Sequence, residues 1–195
     1  PRGHCELCYT CRNKFCIRRR YGALSVCEPP GLWGGYAGML YLHPDAIIYR
    51  VSPDVPAEQV PLFIPISNGI YWVQKAGGAG IGSTVVIQGP GQHGLGCVIA
   101  ARECGARHII VVGRSIDRTR LALARELGAT HTLEADSEDV VSRVREISGG
   151  EMADCVVDVT PGASEPVALA LDLARNGATI VVAGGIGAVA RRMYM

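Results

Sequence analysis

The stretch Thr84–Gly94, which reads TVVIQGPGQHG, decides the fold of this chain. Its first part, Thr84–Gln88, is a run of apolar and β-branched residues that predicts a short buried strand. The run leads directly into Gly89, Gly91 and Gly94, which have the spacing GxGxxG, and helical periodicity follows. A strand, a glycine turn and a helix in this order are typical of the first unit of a parallel sheet.

The same alternation continues along the chain. Further strands are predicted at His108–Val112, His131–Leu133, Cys155–Val159 and Ala178–Ala183. Helices are predicted at His93–Cys104, Asp117–Leu127, Glu138–Ile147 and Glu165–Ala174. The strands are continuous apolar runs, as expected of strands that are covered on both faces. The pattern predicts an α/β fold with a doubly wound parallel sheet.

The first third of the chain has a different character. Residues 1–34 are rich in Cys, Arg, Gly and Pro, which predicts an irregular lobe with little core of its own. Two strand-like runs follow, Tyr36–Leu42 and Ala46–Val51, with a turn signal between them. This part is therefore expected to be irregular and mostly β.

A helical pattern connects the two parts. Leu62–Lys75 has apolar residues at helical spacing, but Pro65 and Gly69 argue against a straight helix. We therefore expect three regions: a first segment at 1–62, a connecting helix region at 63–82, and the parallel sheet with its helices at 83–195.

Composition excludes several classes of protein. The 195 residues include 19 Lys+Arg and 18 Asp+Glu, so the net charge is +1. Neither a strongly basic nucleic-acid binder nor an acidic disordered tail has this balance. No uninterrupted apolar stretch reaches the ~18 residues of a membrane span, and no apolar signal-peptide core is present. We expect a cytoplasmic protein that binds neither nucleic acid nor membrane.

The glycine turn predicts a phosphate site. Gly89 permits the tight turn, Gly91 lets the backbone approach a pyrophosphate, and Gly94 lets the helix pack closely on its strand. The free N–H groups at the helix start, from Gln92 onward, are suited to phosphate oxygens. We predict that Gly89, Gly91, Gln92 and Gly94 bind a dinucleotide. His93 lies within the motif but receives no role.

The end of the second strand distinguishes between the two nicotinamide dinucleotides. A site for NAD places Asp or Glu about 20 residues past the motif, where it binds the ribose 2′-hydroxyl. Here that position is Gly113, followed by Arg114 and Ser115. Gly113 is expected to leave room for a 2′-phosphate, and the Arg114 guanidinium can bind it. Arg118 and Arg120 are expected to add positive charge, so we predict NADP(H).

The cysteines are unevenly spread. Cys97, Cys104 and Cys155 lie singly in apolar stretches and are expected to be small buried side chains. The others crowd the first 27 residues. Four of these, Cys5, Cys8, Cys11 and Cys16, supply enough thiolates for a closed tetrahedral zinc site that would order the lobe.

Taken together, these residues resemble the medium-chain, zinc-dependent alcohol dehydrogenase family. The family's structural-zinc lobe reads P-C-G-x-C-x-x-C-x₇-C and is followed by Y-G. The matching residues here are Pro1–Cys8, then Cys16, then Tyr21-Gly22. Cys5, Cys8 and Cys16 match the second, third and fourth ligands. Arg2 stands in the first ligand position, and Cys11 is a candidate replacement ligand.

The resemblance continues through Gly34–Ala37 and Leu40–Ala46 and then along the sheet to about Gly185. It implies a Rossmann domain, preceded by an incomplete catalytic domain and lacking the last strand. It also implies that Thr160, Ala183 and Gly184 lie near the nicotinamide side of the cofactor.

The activity that the resemblance implies is hydride transfer between an alcohol or carbonyl and nicotinamide, with zinc as the Lewis acid. In the family a cysteine and a Gly-His-Glu motif upstream of the lobe hold the catalytic zinc, and a further ligand position corresponds here to Ile64. We therefore assign no catalytic residue and expect this chain alone to bind NADPH without oxidising alcohols. The family also implies a possible homo-oligomer. A non-catalytic dinucleotide-binding module and a zinc-independent reductase are the alternatives.

Overall fold

The computed structural model describes residues 6, 25–27, 29, 31–42, 46, 48–162 and 164–184. The chain divides into two compact units, Pro1–Val51 and Ser52–Met195. The predicted domain boundaries, after residues 62 and 82, stay predictions.

Apart from Glu6, which is helical, the first unit is irregular over its described residues. The predicted strands at Tyr36–Leu42 and Ala46–Val51 are wrong, because no described residue of either range lies in a strand. A strand needs a neighbour to receive its hydrogen bonds. Over the described part of this unit, the Tyr41 N–H donates to the Leu32 carbonyl (2.9 Å), and no ladder of such bonds forms. In the described part of this unit, the two apolar runs do not make a sheet.

The second unit begins with a continuous helical stretch. A 3₁₀ turn at Val60–Leu62 leads into helix α1, Phe63–Ile70, and then into a π-helical turn, Tyr71–Ala76. Pro65 is tolerated because it is the third residue of α1, where a backbone N–H has no acceptor within the helix. The predicted helix is therefore present, and it changes from α to π geometry after Ile70.

Five parallel strands form the sheet, in the order β3-β2-β1-β4-β5. The strands are β1 Thr84–Gln88, β2 His108–Gly113, β3 His131–Glu134, β4 Ala153–Asp158 and β5 Ala174–Val182. The helices between them are α2 Gln92–Glu103, α3 Arg118–Leu127, α4 Val140–Ile147 and α5 Glu165–Leu173. A 3₁₀ turn, Ser115–Asp117, precedes α3. This confirms the predicted doubly wound α/β fold.

The largest difference from the predicted bounds is at β5, which was expected to begin at Ala178. It begins at Ala174, immediately after α5, because β5 carries an irregularity in its pairing with β4. Ala153 pairs with Ala174, and two residues later Cys155 pairs with Thr179. The polar residues within this bulge hid the start of the strand from periodicity.

The sheet is buried on both faces, as the continuous apolar runs predict. Val85 and Ile87 point to one face, where they pack with α2 and the π-helical turn. Val86 points to the other face, where it packs with Val144 of α4 and Leu173 of α5. Each strand therefore contributes to two separate apolar layers.

Two glycines let α1 cross close to α2. A Cβ added to Gly69 would lie less than 3.0 Å from the backbone of Gly96, and one added to Gly96 would lie less than 3.0 Å from the Pro65 carbonyl. Backbone atoms cannot move aside as a flexible side chain can. Gly69, which argues against a straight helix in the sequence, stands where the two helix backbones meet.

We expect Gly96→Ala to lower the free energy of unfolding by about 2 kcal/mol. Alanine gains about 1 kcal/mol over glycine in a helix, but overpacking against a rigid backbone costs about 1–3 kcal/mol or more. Denaturant unfolding measures the difference. Gly80→Ala is the matched control, because its added Cβ would contact nothing within 4 Å. It should change stability by less than about 1 kcal/mol. Equal stability of the two variants would contradict the close crossing.

Candidate functional site

The order of the strands reverses between β1 and β4. After β1 the chain builds outward through β2 and β3, and it then crosses back to place β4 on the other side of β1. In open α/β sheets, ligands bind in the crevice at the carboxyl ends of the strands beside such a reversal. The residues that follow β1, β4 and β5 meet at this crevice. A Cβ added to Gly89 would lie 3.0 Å from Thr160 Cγ2, and one added to Gly184 would lie less than 3.0 Å from the Thr160 carbonyl.

The three motif glycines have different structural requirements. Gly89 has φ +97°, a backbone conformation that residues other than glycine seldom adopt. A Cβ on Gly94 would lie less than 3.0 Å from the Gly89 carbonyl oxygen. Gly91, the residue that precedes α2, has nothing within 4 Å of its Cβ position. Gly89 and Gly94 are thus required by the fold, whereas Gly91 faces open space.

The first turn of α2 presents free hydrogen-bond donors to the crevice. The Leu95 N–H donates to the Gly91 carbonyl (2.9 Å) and begins the helical bonding. The N–H groups of Gln92, His93 and Gly94 precede it and have no acceptor within the helix. The positive end of the helix dipole lies at the same place. The donors, the charge and the space beside Gly91 together fit a pyrophosphate.

Two buried polar residues that the sequence reasoning missed hold the floor of the crevice. Gln88 is 2% exposed and donates through Nε2 to the Pro166 carbonyl (2.9 Å) at the start of α5. Asp158 is 1% exposed, and its Oδ1 accepts from the Thr160 N–H (3.0 Å) and hydroxyl (2.5 Å). A polar residue that closes an otherwise apolar strand was the available signal, in VVIQ and in CVVD.

Asp158 also sets the positions of the residues predicted to lie near the nicotinamide. Its carbonyl oxygen accepts from the N–H groups of Ala183 (2.8 Å) and Gly184 (2.9 Å). Its side chain holds Thr160 at the end of β4. The structure therefore brings Thr160, Ala183 and Gly184 together beside the glycine turn.

The end of β2 differs from expectation in one respect. We expected Gly113 to leave empty space, but an added Cβ would lie 3.0 Å from Pro90 Cγ and 3.1 Å from Leu121 Cδ2. Packing therefore favours glycine at this position. Arg114 and Ser115 follow it and are exposed. Among the described residues, no ion pair of Arg114 is found.

The expectation that Arg118 and Arg120 add positive charge is wrong. Arg118 makes a bidentate ion pair with Glu134, at 2.8 and 3.0 Å, and Arg120 pairs with Asp117 at 2.9 Å. Hydrogen bonding from Arg118 lowers the pKa of Glu134 below its ordinary value. Acidic partners thus offset both arginines, and among the described residues of this edge Arg114 is the arginine that makes no ion pair.

A carboxylate reaches this edge from the next strand. Asp136, in the turn after β3, accepts from the Ser115 N–H at 2.8 Å and from the Ser115 hydroxyl at 2.5 Å. These hydrogen bonds lower the pKa of Asp136, as does the charge of Arg114. Sequence reasoning missed this residue because it lies 21 positions away from Ser115.

His93 has an unusual environment. Its ring packs edge-on against Trp72 of the π-helical turn, with ring centroids 5.3 Å apart. Its Nδ1 is buried and has no hydrogen-bond partner among the described residues. Such an unpaired atom costs stability. The ring therefore fills space between α2 and the π-helical turn, and this packing leaves its Nδ1 buried without a hydrogen bond among the described residues.

The predicted zinc ligands Cys5, Cys8, Cys11 and Cys16 lie outside the described residues. Within the described part of the chain, no group of three or more His, Cys, Asp or Glu side chains is placed to hold a metal ion. Ile64, at the position of a further ligand in the resemblance, is a half-exposed residue of α1. Among the helices described, none has the length and apolar character needed to cross a membrane.

Comparison with known proteins agrees with this geometry. A family model described as zinc-binding dehydrogenase matches residues 94–193, which is just over half of the chain. The chain belongs to the zinc-binding dehydrogenase family. This family membership confirms the resemblance drawn from the cysteine lobe and the glycine turn.

Relatives of this chain include a probable alcohol dehydrogenase of Mycobacterium tuberculosis, which is 40% identical over 94% of this chain and 52% of the relative. An alcohol dehydrogenase structure from Thermotoga maritima has a TM-score of 0.83 and 28% identity, over 99% of this chain and 54% of that chain. A structure described as a zinc-binding dehydrogenase from Sinorhizobium meliloti, solved with NADP bound, has a TM-score of 0.60 and 31% identity. The match covers 67% of this chain and 38% of that chain. The chain thus spans about half the length of the curated relatives it matches.

The two glycines of the turn should respond differently to alanine. We expect Gly94→Ala to lower the free energy of unfolding by about 2 kcal/mol, because the methyl group meets the Gly89 carbonyl. Gly91→Ala should change it by less than about 1 kcal/mol, since its methyl group meets no protein atom. Denaturant unfolding of both variants measures this. A large loss for Gly91→Ala would contradict the open space described beside it.

Proposed function

We propose that this chain is the NADP(H)-binding portion of a zinc-type alcohol or polyol dehydrogenase. The observation that carries the proposal is the glycine turn at the reversal of strand order, where Gly91 leaves open space in front of the free N–H groups of α2. Family membership and the fold of the NADP-bound relative support the same class of ligand.

The pyrophosphate is bound at the start of α2 in this proposal. Gly89, Gly91, Gln92 and Gly94 form the cradle, and the backbone N–H groups donate to the phosphate oxygens. The space beside Gly91 admits the phosphates because no side chain projects into it. This arrangement uses backbone donors that the fold leaves unpaired and does not require a charged side chain.

The nicotinamide is bound farther along the crevice, beside Thr160, Ala183 and Gly184. Asp158 holds these residues through hydrogen bonds at the ends of β4 and β5. Gly184 lets the backbone of this region lie close to Thr160. These residues shape and position the cofactor end at which reaction takes place.

The adenosine ribose phosphate is bound beside Gly113, Arg114 and Ser115. The Arg114 guanidinium is exposed, and no ion pair occupies it among the described residues. A planar guanidinium can bind a phosphate through two parallel hydrogen bonds. Arg114 therefore gives this site its preference for the 2′-phosphate.

The chemistry supplied by the bound nicotinamide is hydride transfer to or from the carbon of an alcohol or carbonyl. The residues of this chain bind and orient the cofactor for that exchange. We propose a small alcohol, polyol or carbonyl compound as the substrate of the whole protein. A catalytic zinc ligand is assigned to no residue of this chain, and a homo-oligomer and a cytoplasmic location stay predictions.

We expect wild-type chain to bind NADPH more tightly than NADH and Arg114→Gln to weaken NADPH binding about tenfold. The loss corresponds to a charge-assisted hydrogen bond to phosphate. NADH binding should change less than about twofold, since NADH has no 2′-phosphate. Fluorescence titration with both cofactors measures these affinities.

Arg107→Gln is the matched control for this titration, because Arg107 is exposed at the opposite end of β2. Gly91→Ala should weaken binding of both cofactors, since its methyl group occupies the proposed pyrophosphate position. Equal or tighter binding of NADH by the wild-type chain would overturn the proposed preference. Binding of neither cofactor would overturn the proposed function itself.

We also propose that Cys5, Cys8, Cys11 and Cys16 hold one structural zinc ion. Four thiolates are the donor set of closed structural zinc sites, and the bound metal would stabilise a lobe whose composition predicts little core.

Metal analysis of the purified chain should find about one zinc per chain, and Cys8→Ser should lose most of it. Cys27→Ser is the control, since Cys27 is an exposed free cysteine outside the four proposed ligands. Absence of zinc from the wild-type chain, or equal loss in both variants, would contradict the proposed site.

A further inference from the structure

We propose that Asp136 is a specificity-determining residue, whose carboxylate lies at the ribose phosphate site and limits the preference for NADP(H) over NAD(H). The inference rests on the proposed function, because it concerns the same end of the same cofactor. In sites for NAD, an acidic residue at the end of β2 binds the ribose 2′-hydroxyl, and here Asp136 would have that role.

The position of Asp136 is set by the sheet. Gly113 of β2 pairs with Glu134 of β3, and the Ala135 N–H donates to the Gly113 carbonyl at 2.8 Å. The turn after β3 therefore runs beside the turn after β2. The side chain of Asp136 then bridges the two turns through its bonds to the Ser115 N–H (2.8 Å) and hydroxyl (2.5 Å).

Asp136 carries a negative charge at neutral pH. Hydrogen bonds from Ser115 lower its pKa below the ordinary value of an aspartate, and the charge of Arg114 lowers it further. Glu134, which interacts electrostatically with Asp136, is already paired with Arg118, and Asp117, which accepts from the Arg114 N–H, is paired with Arg120. Among the described residues, Arg114 and Asp136 make no ion pair, and they are the opposed charges that a 2′-phosphate would meet.

The hydrogen bonds of Ser115 favour a ribose hydroxyl over a phosphate. A phosphate needs donors, yet the Ser115 N–H and hydroxyl both donate to Asp136 in this structure. A ribose 2′-hydroxyl can itself donate to a carboxylate. The 2′-phosphate must therefore displace or share the donors of Ser115, and it must do so beside a like charge.

The test is Asp136→Asn in the 195-residue chain, which removes the charge and keeps an oxygen that can accept from Ser115. Dissociation constants for NADPH and NADH are measured by fluorescence titration. We expect the ratio Kd(NADH)/Kd(NADPH) to rise about tenfold, since one unit of like charge close to a phosphate is removed. Asp136→Lys should raise the ratio further.

Asp172→Asn is the matched control, because Asp172 is an exposed carboxylate of α5 and gives the same change in net charge. Adenosine 2′,5′-bisphosphate and adenosine 5′-monophosphate repeat the comparison without the nicotinamide. Circular dichroism and thermal unfolding test whether each variant is folded.

The outcomes separate the two proposals. A ratio that rises in Asp136→Asn and not in Asp172→Asn supports Asp136 as the determinant. A ratio that is unchanged in Asp136→Asn, while the wild-type chain still binds both cofactors, overturns this inference and leaves the proposed function standing. Binding of neither cofactor by the wild-type chain overturns both.

Discussion

The close approach of Gly94 to the carbonyl oxygen of Gly89 is the constraint on which the rest of the site depends. A side chain at Gly94 would meet that oxygen, so the start of α2 can lie on the end of β1 only when this residue is glycine. The approach aims the free N–H groups of the first helical turn at the point where strand order reverses. Farther along α2, Gly96 faces Gly69 of α1. Because neither residue has a side chain, the backbones of the two helices can come into contact where they cross. Close backbone contacts of two glycine pairs thus fix the position of α2 relative to β1 and to α1.

Two buried polar residues, Gln88 and Asp158, fix the loops around the glycine turn through hydrogen bonds. Asp158 receives hydrogen bonds from the turn after β4 and from the end of β5, and Gln88 reaches the start of α5. A buried polar group is costly unless it is paired. Because the side chains of both residues are hydrogen-bonded, they tie separate loops to the carboxyl edge of the sheet. The crevice therefore has a floor of fixed geometry, on which the proposed nicotinamide residues stand.

At the end of β2, the charge that each arginine offers to a ligand depends on its ion-pair partner. Arg118 and Arg120 stand close in sequence to Arg114, and a count of arginines suggested one positive field. The structure places Glu134 and Asp117 against two of them and Asp136 against Ser115. Likewise, Tyr36–Leu42 has residues suited to a strand but lies beside no neighbouring strand in the described part of its unit. In both cases the local sequence pattern shows the residue types correctly, but it does not show which residues from other segments lie opposite them.

The sequence by itself determined the α/β class, four of the five strands to within a residue or two, and the helix that follows the glycine turn. These features follow from local periodicity and from the backbone needs of glycine, which are properties of neighbouring residues. Only the tertiary structure decided that β5 begins at Ala174, that Gly69 serves a helix crossing, and that Asp136 reaches Ser115 across 21 positions. Each of these depends on contacts between segments that are distant in the chain. Such contacts arise from strand order and helix packing, which no local pattern records.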